Sequence, residues 1–198
     1  MDDLPIPQPN PLRTVPNLLS MLRICLAPFL VAAILEDRYA LSLGLFVAAG
    51  LTDALDGTFA RILNQRTMLG QYLDPVADKL LLSTLFLVLM YKGLIPATVT
   101  VLVFGRDVGI LLVAAILYAA AGRREFVPSH FGKINTLIQV SAVFAVLLRQ
   151  LTTARWVVDF RQLALAGTIV LTIVSGFHYA WVGSRRTSSP AAHSGSTA

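Results

Sequence analysis

The sequence predicts an all-α integral membrane protein: a six-transmembrane-helix bundle with a polar cavity open to the cytoplasmic side. Three observations predict it. Hydrophobic residues make up 56% of the 198 and charged residues only 14%, whereas soluble domains carry about 25% charged residues. Mean hydropathy is +0.70, and the apolar residues fall into six runs of membrane-crossing length. The ionisable residues within those runs gather in the first four of them.

Residues 1–16 form a Pro-rich, acidic N-terminal segment (MDDLPIPQPNPLR and the residues after it). With no basic stretch ahead of an apolar core, it does not read as a cleavable signal. The membrane domain is predicted over 17–183, with spans at 17–35, 40–61, 70–91, 95–121, 132–152 and 162–182. Breakers separate them: Glu36-Asp37-Arg38, Asn64-Gln65-Arg66, Gly93 ahead of Pro96, Gly122-Arg123-Arg124, and the basic stretch from Arg155 to Arg161. Residues 184–198 are small and polar and predict a disordered tail.

The net charge of +5 does not point to nucleic acid, because no basic stripe interleaved with aromatics is present. Excess Lys and Arg in a membrane chain mark cytoplasmic loops. With both termini inside, the inner flanks hold Arg13, Arg61, Arg66, Arg123, Arg124, Lys133, Arg185 and Arg186. The outer flanks hold Arg38, Lys92, Arg149, Arg155 and Arg161. Trp156 and Trp181 suit interfacial anchors. Cys25 is alone, which excludes a disulfide framework, and reads as a small core residue.

Four carboxylates stand out. Asp53, Asp56, Asp74 and Asp78 lie inside apolar runs, where each charge costs on the order of 2.5–3.5 kcal/mol at mid-membrane. Asp53 and Asp56 are three apart, and Asp74 and Asp78 four apart, so each pair shares a helix face. The pairs flank the turn at 62–69 at similar distances and would meet at one depth when that hairpin closes. An all-oxygen donor set suits Mg²⁺ or Mn²⁺, one ion or two, rather than zinc. Gly57 and Gly70 cost helix stability and so point to close approach of backbone or ligand. Arg61, one turn after Gly57, is placed to bind a phosphate.

The fifth span carries a polar stripe, Ser129, Gly132, Lys133, Thr136 and Gln139. Arg106-Asp107 lie mid-way along the fourth, where Arg106 has two readings: an acceptor contact or an ion pair with Asp107. Together with Arg123 and Arg124, these cations suit an acceptor that carries phosphate. His130 is either a solvated loop residue or a phosphate contact, and His178 a helix–helix partner or a cavity residue. Lys79 points about 100° away from Asp78 and snorkels or pairs across an interface.

The pattern D-x2-D-G-x2-A-R-x8-G-x3-D-x3-D, matched at Asp53, Asp56, Gly57, Ala60, Arg61, Gly70, Asp74 and Asp78, resembles that of the CDP-alcohol phosphotransferases. The resemblance runs from about Thr14 into the sixth span. It implies transfer of a phosphatidyl group from CDP-diacylglycerol to an alcohol with release of CMP. It implies metal ligation by Asp53, Asp56, Asp74 and Asp78, with Asp78 also the general base. It implies a CDP site built from Asp53, Asp56, Gly57, Ala60, Arg61 and Gly70. The stretch SHFGKINTLIQ resembles the glycerol-phosphate and cardiolipin branches, which implies an anionic glycerol-type acceptor, phosphatidylglycerol or glycerol 3-phosphate, met by Arg106, Ser129 and Lys133. Asp107 departs from the RE-type pair typical of bacterial phosphatidylglycerophosphate synthases. The resemblance further implies a homodimer in a bacterial inner or mitochondrial-type membrane, its site facing cytoplasm or matrix. The other readings are an inositol phosphate acceptor, a cation-coupled transporter, or an inactive scaffold.

Overall fold

A computed structural model of the chain describes residues 15–62, 68–121 and 130–187, with side chains described over 21–52, 79–109 and 134–176. The described residues form six helices in chain order: α1 (Val15–Leu35), α2 (Tyr39–Ile62), α3 (Met68–Tyr91), α4 (Ala97–Ala121), α5 (His130–Leu151) and α6 (Arg155–Thr187). Among them, the segments Ile134–Leu151 and Arg155–Gly176 are long and apolar enough to cross a membrane. Met21–Leu35, Tyr39–Thr52 and Lys79–Tyr91 are shorter apolar helical stretches.

Two compact units divide the chain: residues 1–95 with 143–161, and residues 96–142 with 162–198. In the first, α1 packs against both α2 and α3. Its core is made by Leu30, Ile34, Leu85, Phe86, Leu89 and Leu147, all fully buried. Arg23, Leu30 and Ile34 share one face of α1 by their spacing of seven and eleven residues, and all three are buried. Cys25 corrects the sequence reading: it is exposed, because it sits about 200° around the helix from Arg23, off that buried line. In the second unit, Val99 and Val103 of α4 are buried, as is a polar set on α4, α5 and α6. Ile138 of α5 lies 3.5 Å from where a Cβ on Gly167 of α6 would stand, so these helices approach closely.

α1 and α3 end in the same way. At α3, Leu94 N–H donates to the Leu89 carbonyl at 2.8 Å and Gly93 N–H to the Met90 carbonyl at 2.9 Å, with Gly93 at φ 69°. This is the paired-bond cap that a left-handed residue allows. At α1, Arg38 N–H reaches Ala33 at 2.9 Å and Asp37 N–H reaches Ile34 at 3.1 Å, with Asp37, a non-glycine, at φ 59°. Short polar side chains tolerate that region better than bulky ones. Lys92 then joins the two caps: its Nζ lies 2.6 Å from Asp37 Oδ1 and donates to the Leu35 carbonyl at 3.3 Å. That places a cation at the negative end of α1.

The Lys92 hydrogen bond, followed by one from the Tyr39 hydroxyl, holds the Asp37 carboxyl below its ordinary 3.8. Burial first, then Asp37, pushes the Tyr39 phenol up to about 12, so it remains a donor at working pH. A carboxyl depressed on folding stabilises the fold above its unfolded pKa and loses that contribution as pH falls through the folded value. Lys92→Met is therefore expected to lower the thermal midpoint in detergent modestly near neutrality, as for an exposed pair. The gap should narrow below 3.8. A gap unchanged at about pH 2 would assign the effect of Lys92 to the Leu35 carbonyl alone.

Two boundaries differ from the sequence reading. α6 begins at Arg155 rather than 162, taking in the stretch read as a breaker. Val157 is fully buried there, and Arg161 Nη2 donates to the carbonyl of Leu94 at 2.7 Å, so the helix gives this guanidinium a packed acceptor rather than a loop position. At the other end α6 continues to Thr187, four residues into the expected tail. The breakers Asn64-Gln65-Arg66 and Gly122-Arg123-Arg124, residues 1–14 and residues 188–198 lie outside the described residues.

Candidate active site

The carboxylate pattern lies on helical backbone throughout its two halves. Asp53, Asp56, Gly57, Ala60 and Arg61 are on α2, and Gly70, Asp74 and Asp78 on α3. Continuous helix across Asp53–Asp56 and across Asp74–Asp78 preserves the shared-face spacing within each pair. Both helices belong to the first compact unit and both pack on α1. The side chains of these eight residues lie outside the described set. Just ahead of Asp53, the Thr52 hydroxyl donates back to the carbonyls of Ala48 (3.0 Å) and Ala49 (2.8 Å), satisfying itself within the helix. Lys79, next to Asp78, is exposed.

Of the acceptor candidates, Arg106 is described in full. It is 8% exposed on α4. Its Nη1 is 2.6 Å from Asp107 Oδ1, and its Nε donates to Ser175 Oγ at 3.0 Å. The ion pair with Asp107, one of its two readings, is therefore present. A guanidinium has five N–H donors, so these two bonds orient the group without exhausting it. Lys133 and His130 lie on α5 and His178 on α6, with side chains outside the described residues; Ser129 lies outside them altogether.

Several polar residues of the second unit went unnoticed in the sequence. Asn135, Thr168, Thr172 and Ser175 are each at most 2% exposed. Thr172 Oγ1 donates to Asn135 Oδ1 at 3.4 Å, Ser175 Oγ to the Thr172 carbonyl at 3.4 Å, and Thr168 Oγ1 to the Ala164 carbonyl at 2.9 Å. The spacing of Thr168, Thr172 and Ser175, four and then three apart, was the available signal: it puts three hydroxyls on one face of α6.

A family model described as CDP-alcohol phosphatidyltransferase matches residues 13–174. The chain is 42% identical over 154 residues to the human protein named cardiolipin synthase (CMP-forming), covering 68% of this chain and 50% of that one. It is 34% identical over 181 residues to the CDP-diacylglycerol–glycerol-3-phosphate 3-phosphatidyltransferase of Bacillus subtilis (strain 168), covering 83% of this chain and 92% of the relative. It is also 30% identical over 173 residues to a probable phosphatidylglycerophosphate synthase of Mycobacterium tuberculosis, covering 82% and 78%. The chain spans about half the length of the human and rat cardiolipin synthases it matches. With the family model covering most of its length and the full acid pattern set on α2 and α3, the chain belongs to the CDP-alcohol phosphatidyltransferase family.

Proposed function

We propose that the chain transfers the phosphatidyl group of CDP-diacylglycerol to a glycerol-type, phosphate-bearing alcohol, releasing CMP. The observation that carries this reading is the eight-position acid–glycine–arginine pattern, complete and on unbroken helix in α2 and α3. The relatives' names support it: both cardiolipin synthase and glycerol-3-phosphate phosphatidyltransferase stand among them.

The donor set on α2 and α3 is all oxygen, which fits a hard divalent cation, Mg²⁺ or Mn²⁺. Asp53, Asp56 and Asp74 would hold it, with Asp78 completing the site. When bound, such a cation neutralises pyrophosphate charge and stabilises the departing CMP oxygen. Gly57, Ala60 and Gly70 leave room for the CDP group, and Arg61 meets its phosphates. Asp78 takes the proton from the acceptor hydroxyl. The hydroxyl oxygen then bonds to the phosphatidyl phosphorus, and the bond from that phosphorus to the CMP oxygen breaks. Arg106, Ser129 and Lys133 bind the acceptor phosphate.

In the membrane we assign six spans with both termini on the cytoplasmic or matrix side and a polar cavity around the carboxylates opening to that side, in a homodimer. The basic inner flanks and the two long apolar helices support this placement.

The test is CMP release by the purified chain with CDP-diacylglycerol and Mg²⁺ or Mn²⁺. Release with glycerol 3-phosphate or with phosphatidylglycerol is expected, and the preferred one of the two names the acceptor. No release with either, or solute uptake across vesicles without CMP, would overturn the assignment.

A further inference from the structure

α5 carries two buried amides whose donor groups meet no acceptor among the described residues. Asn135 is fully buried and Gln139 is 3% exposed. Among the described residues, neither Asn135 Nδ2 nor Gln139 Nε2 has a hydrogen-bond partner. The other end of the Asn135 amide is engaged, since Oδ1 accepts from Thr172 Oγ1 at 3.4 Å. From Thr172 the row continues through its carbonyl to Ser175 Oγ at 3.4 Å, to Arg106 Nε at 3.0 Å and to Asp107. All these residues belong to the second compact unit. A connected polar row thus crosses α4, α6 and α5, and beside its α5 end stand two amide NH₂ groups one helical turn apart.

A buried donor left without an acceptor is destabilising, whereas an apolar residue of the same shape in its place is neutral or better. Val103, Ala142 and Leu165 show that this unit fills other buried positions with apolar side chains. Contacts among the described residues therefore leave these two NH₂ donors unexplained, and the donors fit an oxygen ligand that arrives from outside the chain. Neutral NH₂ donors suit hydroxyl oxygens, while phosphate dianions select guanidinium and ammonium groups. We infer that Asn135 and Gln139 donate hydrogen bonds to a non-reacting hydroxyl of the acceptor alcohol and so set which alcohols are accepted. The inference rests on the phosphatidyl-transfer reading and adds to it a contact for the part of the acceptor that does not react. A site built to hydrogen-bond a hydroxyl rejects an analogue lacking it, because its own donors are then stranded.

The experiment compares acceptors differing in one hydroxyl, using the full chain in detergent with CDP-diacylglycerol and Mg²⁺. The pairs are glycerol 3-phosphate against 1,3-propanediol monophosphate, and phosphatidylglycerol against phosphatidyl-1,3-propanediol. The wild type should favour the hydroxylated member of its preferred pair by about tenfold or more in kcat/KM. Gln139→Met and Asn135→Leu should reduce that ratio to within about threefold, with the KM for CDP-diacylglycerol unchanged. Gln139→Met should not lower the thermal midpoint, since it removes a stranded donor. If Gln139→Met is not recovered folded, Gln139→Glu carries the same ratio test. Variants that keep the wild-type ratio overturn the inference, and a loss of thermal stability alongside an unchanged ratio assigns the amides to packing. A wild type that releases CMP but shows no hydroxyl preference also overturns it, leaving the donor reaction standing. A wild type that releases no CMP overturns the donor reaction itself.

Discussion

Asp78→Asn is expected to lower CMP release by about 10²–10⁴-fold, the usual contribution of a positioned general base, while CDP-diacylglycerol binding persists. The substitution keeps the size of the side chain and one oxygen but removes the ability to take a proton. Asp78 is the last acid of the pattern, four residues beyond Asp74 on α3, so the two share a face and one substitution leaves the other three acids in place. Radiolabelled CMP release and equilibrium binding of CDP-diacylglycerol to the purified variant check it together. Wild-type turnover by Asp78→Asn would remove Asp78 as the base. Loss of lipid binding along with turnover would show instead that its main part is to hold the metal.

Stripping divalent cations should abolish CMP release altogether, and Mg²⁺ or Mn²⁺ should restore it. A pyrophosphate diester resists attack by an alcohol until its charge is neutralised. Four carboxylates inside apolar helices also repel one another unless a cation or protons intervene. The thermal midpoint should therefore rise on adding the metal, by linkage to the folded state. Asp53→Asn and Asp56→Asn should each raise the metal concentration needed for half-maximal activity. Undiminished turnover in excess chelator would sink the metal assignment, whatever became of the base.

How much was legible in the sequence varied with the range of the interaction involved. The helices were legible because long apolar runs announce themselves without any partner, and five of six helix starts fell within two residues of the expected spans. The exception was α6, where Arg155 and Arg161 read as a loop. A charge reads as a breaker only when nothing receives it, and Arg161 is received by the Leu94 carbonyl, 67 positions away in the chain. Cys25 failed for a related reason: an apolar residue in an apolar helix has no compositional mark for the buried side.

Within the candidate site, the placement of the acids on helical backbone was legible, because its signal is spacing along single helices. Asp53 with Asp56 and Asp74 with Asp78 declare shared faces from the helical repeat alone. Around Arg106 the ion pair with Asp107 was legible as one of two readings, and the contacts beyond it were not. Its contact with Ser175 joins α4 to α6 and that of Thr172 with Asn135 joins α6 to α5, and no periodicity in one helix names its partner in another.

The sequence by itself determined the helical class, the acid pattern and the family, since local hydropathy and fixed spacing carry all three. Only the tertiary structure decided that Asp37 and Lys92 tie two helix caps together, that Arg106 pairs with Asp107 and also reaches Ser175, and that the Asn135 and Gln139 NH₂ groups meet no acceptor among the described residues. The physical reason is that hydrogen-bond satisfaction is a property of packed neighbours. A side chain's donors are counted in the sequence, but whether they are met is settled only where helices touch.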